Sequence, residues 1–328
     1  MVVDVAELRA LLTDSAPENR VLAVLAVVGA LSIVGIIGRF CTWLWRYFLR
    51  PGKNLTRYGS WALVTGCTDG IGKGFCFQLA KRRLNLILVG RSQEKLDALT
   101  SELKAKYKTV QLRTVLLDFL VPDLSPGFKQ IEELVAELDV GILVNNAGLS
   151  YPYARFFHEV DEDLMRNLIR MNVEVIVRMV QIVIPHMLKR KRGAIVNIGS
   201  GSASVLPSDP LYALYAGTKG FIDIFSRNLS VEYKNSGIDV QCQAPLHVAT
   251  KLASIRRSSL FCPSPNSYAQ SGVKWIGYES LCCPYWPHSL LWKLVNLLPH
   301  SLVDMVRMHS GLDVRRRGKA KEARKKEQ

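Results

Sequence analysis

From Trp61 to Gln243, short apolar runs rich in β-branched residues alternate with longer segments of helical period, and few architectures accept such a chain. Residues 61–65, 84–89, 110–117, 141–145, 194–198 and 239–243 read as strands. Residues 71–81, 93–106, 162–189 and 212–234 read as the helices between them. Strand–helix–strand repeats close through right-handed crossovers, so the pattern predicts an α/β fold, a doubly wound parallel sheet with helices on both faces. Ligands of such sheets sit beyond the carboxyl ends of the strands, where the motifs below all fall. With 48% hydrophobic and 22% charged residues among 328, the chain has the material for a full core.

Ahead of this region, residues 21–38 form an eighteen-residue run without a charge. A helix of that length rises about 27 Å, close to the hydrocarbon thickness of a bilayer. The run is apolar on every face, unlike the one-sided stripe of a helix lying on a soluble core. It is too long for a signal peptide, and no small-residue cleavage site follows. Arg39 with Trp43, Trp45 and Tyr47 suits a membrane–water interface. One N-terminal transmembrane helix, at about 21–45, is therefore expected. Arg9 and Arg20 precede it among four acidic residues, whereas Arg39, Arg46, Arg50, Lys53 and Arg57 follow it. The positive-inside rule then puts the first residues in the lumen and everything after the anchor in the cytoplasm. The expected organisation is a luminal segment, anchor and basic linker over 1–57, a folded domain over 58–312 and a basic tail over 313–328.

The formal charge is +15, and residues 315–328 alone hold eight Lys/Arg against two Glu. The simplest reading of that tail is a solvated, disordered segment. Contact with anionic membrane lipid is a second reading. Nucleic-acid binding is disfavoured, because no base-reading motif or aromatic interleaving accompanies the charge. The seven cysteines are scattered without a C-x-x-C, which fits a reduced domain and no metal site.

The first strand runs into Thr65-Gly66-Cys67-Thr68-Asp69-Gly70-Ile71-Gly72. Glycines there permit a tight turn and close approach of backbone to a pyrophosphate, and the helix opening at Ile71 offers free N–H groups to the anion. Gly66, Thr68, Asp69, Gly70, Ile71 and Gly72 are thus cofactor-site candidates in a Rossmann-type fold. The second strand ends at Gly90-Arg91-Ser92. An acidic residue there would take the ribose of NAD, whereas Arg91 suits the extra phosphate of NADP, so NADPH is the expected cofactor. Asp118, after the third strand, either bonds the adenine amino group or caps a turn. In Asn145-Asn146-Ala147-Gly148, paired amides satisfy backbone groups of neighbouring strands and leave room for the nicotinamide ribose, which makes Asn145 and Ala147 candidates.

Tyr215 and Lys219 stand four apart in a helical stretch and share one face. A cation beside a phenol favours tyrosinate and lowers its pKa from about 10, which suits Tyr215 to protonate a carbonyl oxygen that receives a hydride at carbon. Upstream, Ile198-Gly199-Ser200 places a hydroxyl at a strand end.

Taken in order over residues 58–300, T-G-x-x-x-G-I-G, N-N-A-G, the strand-end serine and Y-x-x-x-K resemble the short-chain dehydrogenase/reductase family. The resemblance implies that Tyr215 is the general acid, that Lys219 holds the nicotinamide ribose and tunes Tyr215, and that Asn172 supports a proton-relay water. The family's usual distance to the tyrosine selects Ser202 as the catalytic serine, whereas the strand-end pattern selects Ser200. Strand geometry fixes a hydroxyl better than loop length does, so Ser200 is preferred, and both serines are candidates for substrate contact. Pro245 opens a stretch similar to the family's P-G-x-x-x-T segment, which implies Thr250 near the cofactor phosphates, with Leu246 in place of the glycine.

A finer resemblance rests on residues 49–55, 150–162, 237–243 and 284–288. These segments are similar to the plant-type very-long-chain 3-oxoacyl-CoA reductases of microsomal fatty-acid elongation, a group close to the 17β-hydroxysteroid dehydrogenases. The likeness implies reduction of a long-chain 3-oxoacyl-CoA to the 3-hydroxyacyl-CoA at the endoplasmic reticulum membrane, in contact with lipid and beside the other elongase-complex enzymes, and leaves a homodimer open. Lys325 and Lys326 resemble a dilysine retrieval signal. Two alternatives stand: reduction of a steroid or other lipophilic ketone, and a weakly active assembly partner in the elongase complex. His247, where this subgroup is expected to carry an aromatic, reads first as a packing residue and second as an influence on carbonyl placement. Arg256 and Arg257 are expected to meet CoA phosphates. Residues 290–298 are apolar but too short to span, and suit the membrane interface, an acyl entrance or the core.

Overall fold

The computed structural model describes residues 17–326. Residues 1–16, including Arg9 of the expected luminal segment, the last two residues, and the side chains of Lys325 and Lys326 lie outside that description. The chain divides into two units, 1–51 and 52–328.

In the first unit, helix α1 (Pro17–Leu44) continues into a π-helical turn (Trp45–Leu49). Its large apolar side chains, among them Leu22, Leu31, Ile33 and Val34, are exposed, and the helix is long and apolar enough to cross a membrane. At its end Trp43 packs against Tyr47 and Phe48, with ring centroids 5.2 and 5.8 Å apart, and Arg50 lies over Trp45. Amphipathic rings and a cation gathered in this way are the expected interfacial collar.

The second unit holds seven strands: β1 (Trp61–Thr65), β2 (Asn85–Gly90), β3 (Leu112–Leu116), β4 (Val140–Asn145), β5 (Gly193–Ile198), β6 (Ile238–Gln243) and β7 (Leu281–Cys282). They form one parallel sheet in the order β3-β2-β1-β4-β5-β6-β7. Strands β1, β4 and β5 are buried at every position, as central strands covered on both faces must be, whereas β3 at the edge keeps most side chains open. The order reverses between β1 and β4, and this switch point opens a crevice at the strand tips.

The described helices of this unit are α2 (Gly70–Ala80), α3 (Gln93–Lys106), α4 (Ser125–Glu137), α5 (Glu162–Ile169), α6 (Val175–Arg190), α7 (Gly201–Ser204), α8 (Ala213–Glu232), α9 (Pro265–Trp275), α10 (Trp286–Val295) and α11 (His300–Lys326). Side chains of Asp69, Ser92, Asp161 and Ser264 accept from free N–H groups at the starts of α2, α3, α5 and α9. Two apolar clusters, one against each face of the sheet, form the core.

Three features depart from the sequence reading. The single helix expected over 162–189 is interrupted by a π-helical turn (Arg170–Glu174) that carries Asn172. Helix α9 has a polar, glycine-containing sequence and is held by packing on α2. A Cβ at Gly74 would stand 2.6 Å from the Pro265 carbonyl oxygen and 3.0 Å from the Ala269 methyl, so the two helices meet only because Gly74 has no side chain.

The third departure is a correction: the basic end is helical, within the continuous helix α11, rather than disordered. Arg315 and Lys319 both pair with Glu159, Tyr153 donates to Glu322 at 2.5 Å, and Arg307 donates to Asp209. Arg315 and Lys319 hold the Glu159 carboxyl well below the usual carboxylate range. Gly311 and Gly318 let the helix approach Leu211 and Tyr153 closely. Composition displays the cations but not the carboxylates waiting for them elsewhere in the fold.

Gly74→Ala should push α2 and α9 apart at a cost of about 1–3 kcal/mol. Thermal unfolding of wild type and variant in the same detergent would read this as a lowered Tm.

Candidate active site

Strand β1 ends at Thr65, whose hydroxyl accepts from the N–H groups of Asn146 (3.0 Å) and Ala147 (3.1 Å) at the end of β4. The Asn146 amide returns two bonds, to the carbonyls of Thr65 (3.1 Å) and Gly66 (3.0 Å). Gly66 and Gly70 adopt left-handed backbone, at φ +61° and +53°. A Cβ on Gly72 would collide with the Gly66 carbonyl oxygen and the Asn146 amide. The turn therefore presents bare backbone at the start of α2, where free N–H groups and the helix dipole suit a pyrophosphate. Asn146 was not among the site residues singled out in advance; the paired amides of N-N-A-G were its only signal.

The flanking candidates gather around this turn. Asp69 caps α2 by accepting from Gly70 N (2.7 Å) and pairs with Lys251 (3.1 Å). Although burial raises its pKa, Lys251 and the Gly70 N–H hold the carboxyl below its ordinary range. The same ion pair brings Thr250 across the turn, its methyl 3.3 Å from where a Gly70 Cβ would lie. Ile71 packs on the core. The Thr68 methyl stands 3.0 Å from the Cβ position of Gly90, so turn and β2 tip adjoin. Arg91, the next residue, is exposed and has no ion-pair partner among the described residues. Asp118 accepts from Leu120 N (3.1 Å), which is the turn-capping geometry. Asn145 is engaged inside the sheet: its amide donates to Asn197 (2.9 Å), which donates to Ser226 (2.9 Å).

Across the crevice, helix α8 opens at Ala213, and its Leu214 N–H donates to the Tyr151 hydroxyl (3.2 Å). Tyr151 stacks on Tyr212, with centroids 5.4 Å apart, so two aromatic rings brace the turn of helix that carries Tyr215. The Ser200 hydroxyl lies close enough to the Tyr215 phenol to draw its pKa down. Ser200 Oγ also accepts from Ser202 Oγ (2.8 Å) and Ser202 N (3.2 Å). Ser200 is thus the hydroxyl beside the phenol, and Ser202 stands one step behind it.

Lys219 is buried, and its ammonium donates to the Ile198 carbonyl (2.9 Å). Burial lowers its pKa to about 8. Asn172 donates to the Leu149 carbonyl (2.9 Å) and to Thr218 Oγ1 (3.0 Å) and accepts from Leu149 N (2.8 Å). Between them lies Gly148, where a Cβ would stand 3.4 Å from Asn172 Oδ1 and 3.6 Å from Lys219 Nζ. The last glycine of N-N-A-G therefore lies beside both Asn172 and Lys219. The expected lowering of the phenol by Lys219 is not what the structure gives. Burial raises the Tyr215 pKa above its ordinary value, and the neighbouring Ser200 hydroxyl is what opposes that rise.

The loop after β6 closes the back of the site. Gly201 N donates to the Pro245 carbonyl (2.8 Å), and Leu246 fills the space beside Gly201 that a Cβ would need. Leu246 N donates to His288 Nδ1 (3.2 Å), so the ring's proton sits on Nε2, which donates to the Phe261 carbonyl (3.2 Å). His288 is completely buried, and burial drives its pKa down to about 4. It holds two loops together behind the serines, a role with no signal in the sequence beyond its place in one of the resembling segments. His247 lies in the field of a second unforeseen pair, Asp209 and Arg307. Burial raises the Asp209 pKa while Arg307, donating through Nη2 (2.5 Å) and Nε (3.2 Å), opposes that rise.

Fold and crevice together define a dinucleotide-dependent oxidoreductase of the doubly wound type. Residues 60–259 match the family described as short chain dehydrogenase, and the chain belongs to that family. Among curated relatives, the very-long-chain 3-oxoacyl-CoA reductase-like protein of Arabidopsis thaliana is 48% identical over 274 residues, covering 82% of this chain and 87% of its own. The human very-long-chain 3-oxoacyl-CoA reductase is 42% identical over 243 residues, covering 74% and 76%. Among solved structures, a short-chain dehydrogenase from Sphingobium yanoikuyae in complex with NADPH superposes with a TM-score of 0.62 at 26% identity, covering 72% of this chain and 92% of that one. The bare-backbone cradle of Gly66, Gly70 and Gly72 fits a nicotinamide dinucleotide, because any Cβ at Gly72 would occupy the close packing that forms it.

A buried neutral His288 makes stability pH-dependent. Its folded pKa lies below the unfolded value, so the unfolded chain binds the proton first and stability falls as pH drops from about 6.5 toward about 4. Between pH 7.5 and 5.0 the expected loss from this residue is about 2 kcal/mol. Denaturant titrations of wild type and His288→Gln at the two pH values should differ in slope by that amount; parallel losses would show that other groups carry the effect.

Proposed function

We propose that this protein reduces very-long-chain 3-oxoacyl-CoA to 3-hydroxyacyl-CoA with NADPH, the second step of each fatty-acid elongation cycle. The observation that carries the reading is 48% identity, over four fifths of the chain, to a plant relative named for that activity. The neighbouring Tyr215 and Ser200 hydroxyls, with buried Lys219 one helical turn along from Tyr215, support it chemically.

Ser200 accepts from Ser202, which leaves its own O–H to point with that of Tyr215 at the 3-oxo oxygen. When bound, the cofactor supplies the hydride that arrives at carbon 3. Negative charge then develops on the oxygen, and Tyr215 protonates it. A phenol whose pKa stands above its ordinary value keeps its proton until that charge appears, which prevents premature ionisation. Lys219 spends one donor on Ile198 and has two left for a ribose hydroxyl and for the phenolate that Tyr215 becomes. Asn172, fixed on both sides by Leu149 and Thr218, holds the helix turn facing Gly148 and supports the water through which the phenol recovers its proton.

Arg91 takes the 2′-phosphate that distinguishes NADPH, Asp118 the adenine side, and Thr250 the phosphates at the Gly70 turn. Exposed Arg256 and Arg257 take the phosphates of CoA. Helix α1 anchors the enzyme in the endoplasmic reticulum membrane with the catalytic unit in the cytoplasm, where the other elongase enzymes hand over substrate. Phe221 and Ile224 on α8 are 41% and 52% exposed, and Phe221 stacks on Phe225 at 5.5 Å. Such a stripe suits a second copy in a homodimer.

Microsomes carrying Tyr215→Phe should oxidise NADPH with a 3-oxoacyl-CoA series about 10²–10⁴-fold more slowly than wild type, with the KM for NADPH nearly unchanged. Turnover equal to wild type would reject the assignment. Arg91→Ala removes a charge-assisted contact and should raise the KM for NADPH about tenfold or more while leaving that for NADH unaltered, measured with the same substrate.

A further inference from the structure

Helices α10 and α11 leave a cluster of large apolar side chains open to solvent. Leu294, Leu297 and Leu298 at the end of α10, with Leu302, Met305 and Val306 on the first turns of α11, are 42–80% exposed. Positions 302, 305 and 306 share one side of α11. The inward positions are 303, 307 and 311: Val303 is buried, Arg307 pairs with Asp209, and Gly311 lies against Leu211. Single exposed leucines are ordinary, but six such residues on one helical hairpin form a patch that calls for a partner. Leu260 and Phe261, 54% and 45% exposed, belong to a loop tied to α10, since Tyr285 donates to the Leu260 carbonyl (3.0 Å) and His288 to that of Phe261. Past Gly311, α11 turns cationic, with Arg316, Arg317, Lys319, Lys321 and Arg324 exposed.

We propose that the α10–α11 hairpin is a second membrane contact, separate from α1: its apolar residues enter the bilayer interface and the cationic half of α11 lies along anionic headgroups. A lipid surface fits better than a protein partner for two reasons. An apolar face adjoining a row of exposed cations is the make-up of an interfacial helix, and cations near an anionic surface strengthen its hold. The chain also carries its own membrane-length helix, and only Arg50 and Pro51 separate its final turn from the catalytic unit, so that unit is tethered to any bilayer the helix crosses.

The contact has a consequence for the substrate, which rests on the function proposed above. Arg307 ties α11 to Asp209, in the loop that leads to Tyr212 and Tyr215. A bilayer held against the hairpin therefore lies beside the crevice, and a long acyl chain passes from lipid to the reacting carbonyl with little exposure to water.

The test uses the full-length protein reconstituted in phosphatidylcholine vesicles containing phosphatidylserine. A photoreactive p-benzoylphenylalanine is placed at Leu297, Met305, Ile33 in α1, or Val231, an equally apolar position on α8 that is 77% exposed. Irradiation followed by mass spectrometry should find lipid adducts at 297 and 305 and none at 231. Adducts at 33 without any at 297 and 305 would overturn the proposal while leaving the anchor standing. Adducts at 297 and 305 without any at 33 would support it and remove the anchor. Protein–protein adducts at 297 and 305 in place of lipid adducts would overturn it in favour of a docking surface.

Discussion

Strand β1, helix α2 and the end of β4 meet at Gly66, Gly72 and Asn146 in a space that admits no Cβ, and the crevice is built outward from that contact. Four hydrogen bonds link Thr65 and Gly66 to Asn146 and Ala147 across it, which locks the tips of β1 and β4 at the point where the strand order reverses. A parallel sheet leaves a gap there, and only backbone-lined walls let a pyrophosphate reach the N–H groups of α2. Because Asn146 is fixed at the β4 tip, so is Gly148 two residues later, beside which both Asn172 and Lys219 lie.

The opposite wall handles charge. An ammonium as deeply buried as that of Lys219 is destabilised by lost hydration, and a single carbonyl offsets only part of that loss. The residual deficit makes the side chain a strong donor to any oxygen that gains negative charge nearby. Tyr215, also desolvated, holds its proton more tightly than a phenol in water. Ser202 donates to Ser200, which leaves the Ser200 O–H free beside the Tyr215 phenol for an incoming oxygen.

Segments late in the chain complete the site without touching its reactive groups. His288 fastens the Leu246 loop behind the serines, and the Asp209–Arg307 pair binds α11 to the loop before α8. Helix α11 turns a run of cations that would repel one another into an ordered element, because Glu159 and Asp209 meet some of them at fixed places and Tyr153 donates to Glu322 on the helix itself. The exposed apolar residues on its first turns are the cost of that arrangement, and a bilayer removes it.

Read alone, the chain already disclosed its parallel sheet, the glycine turn, Tyr215 and Lys219, and the membrane-length helix. Each of these is written in local order: a period of residues, a short fixed spacing, or an unbroken apolar run. The expectation of Ser200 rather than Ser202 rested on a strand end, which is also a local feature. The roles of Asn146, Tyr151, His288 and Asp209 were out of reach, as were the interruption at Asn172 and the helix at the basic end. Their partners lie between 42 and 156 residues away in several cases, as Tyr151 to Leu214 and Glu159 to Arg315 illustrate. The direction of the Tyr215 shift was misjudged for the same reason. A lysine four residues on is visible in the sequence, but desolvation depends on everything packed around the phenol, and only the folded chain decides that.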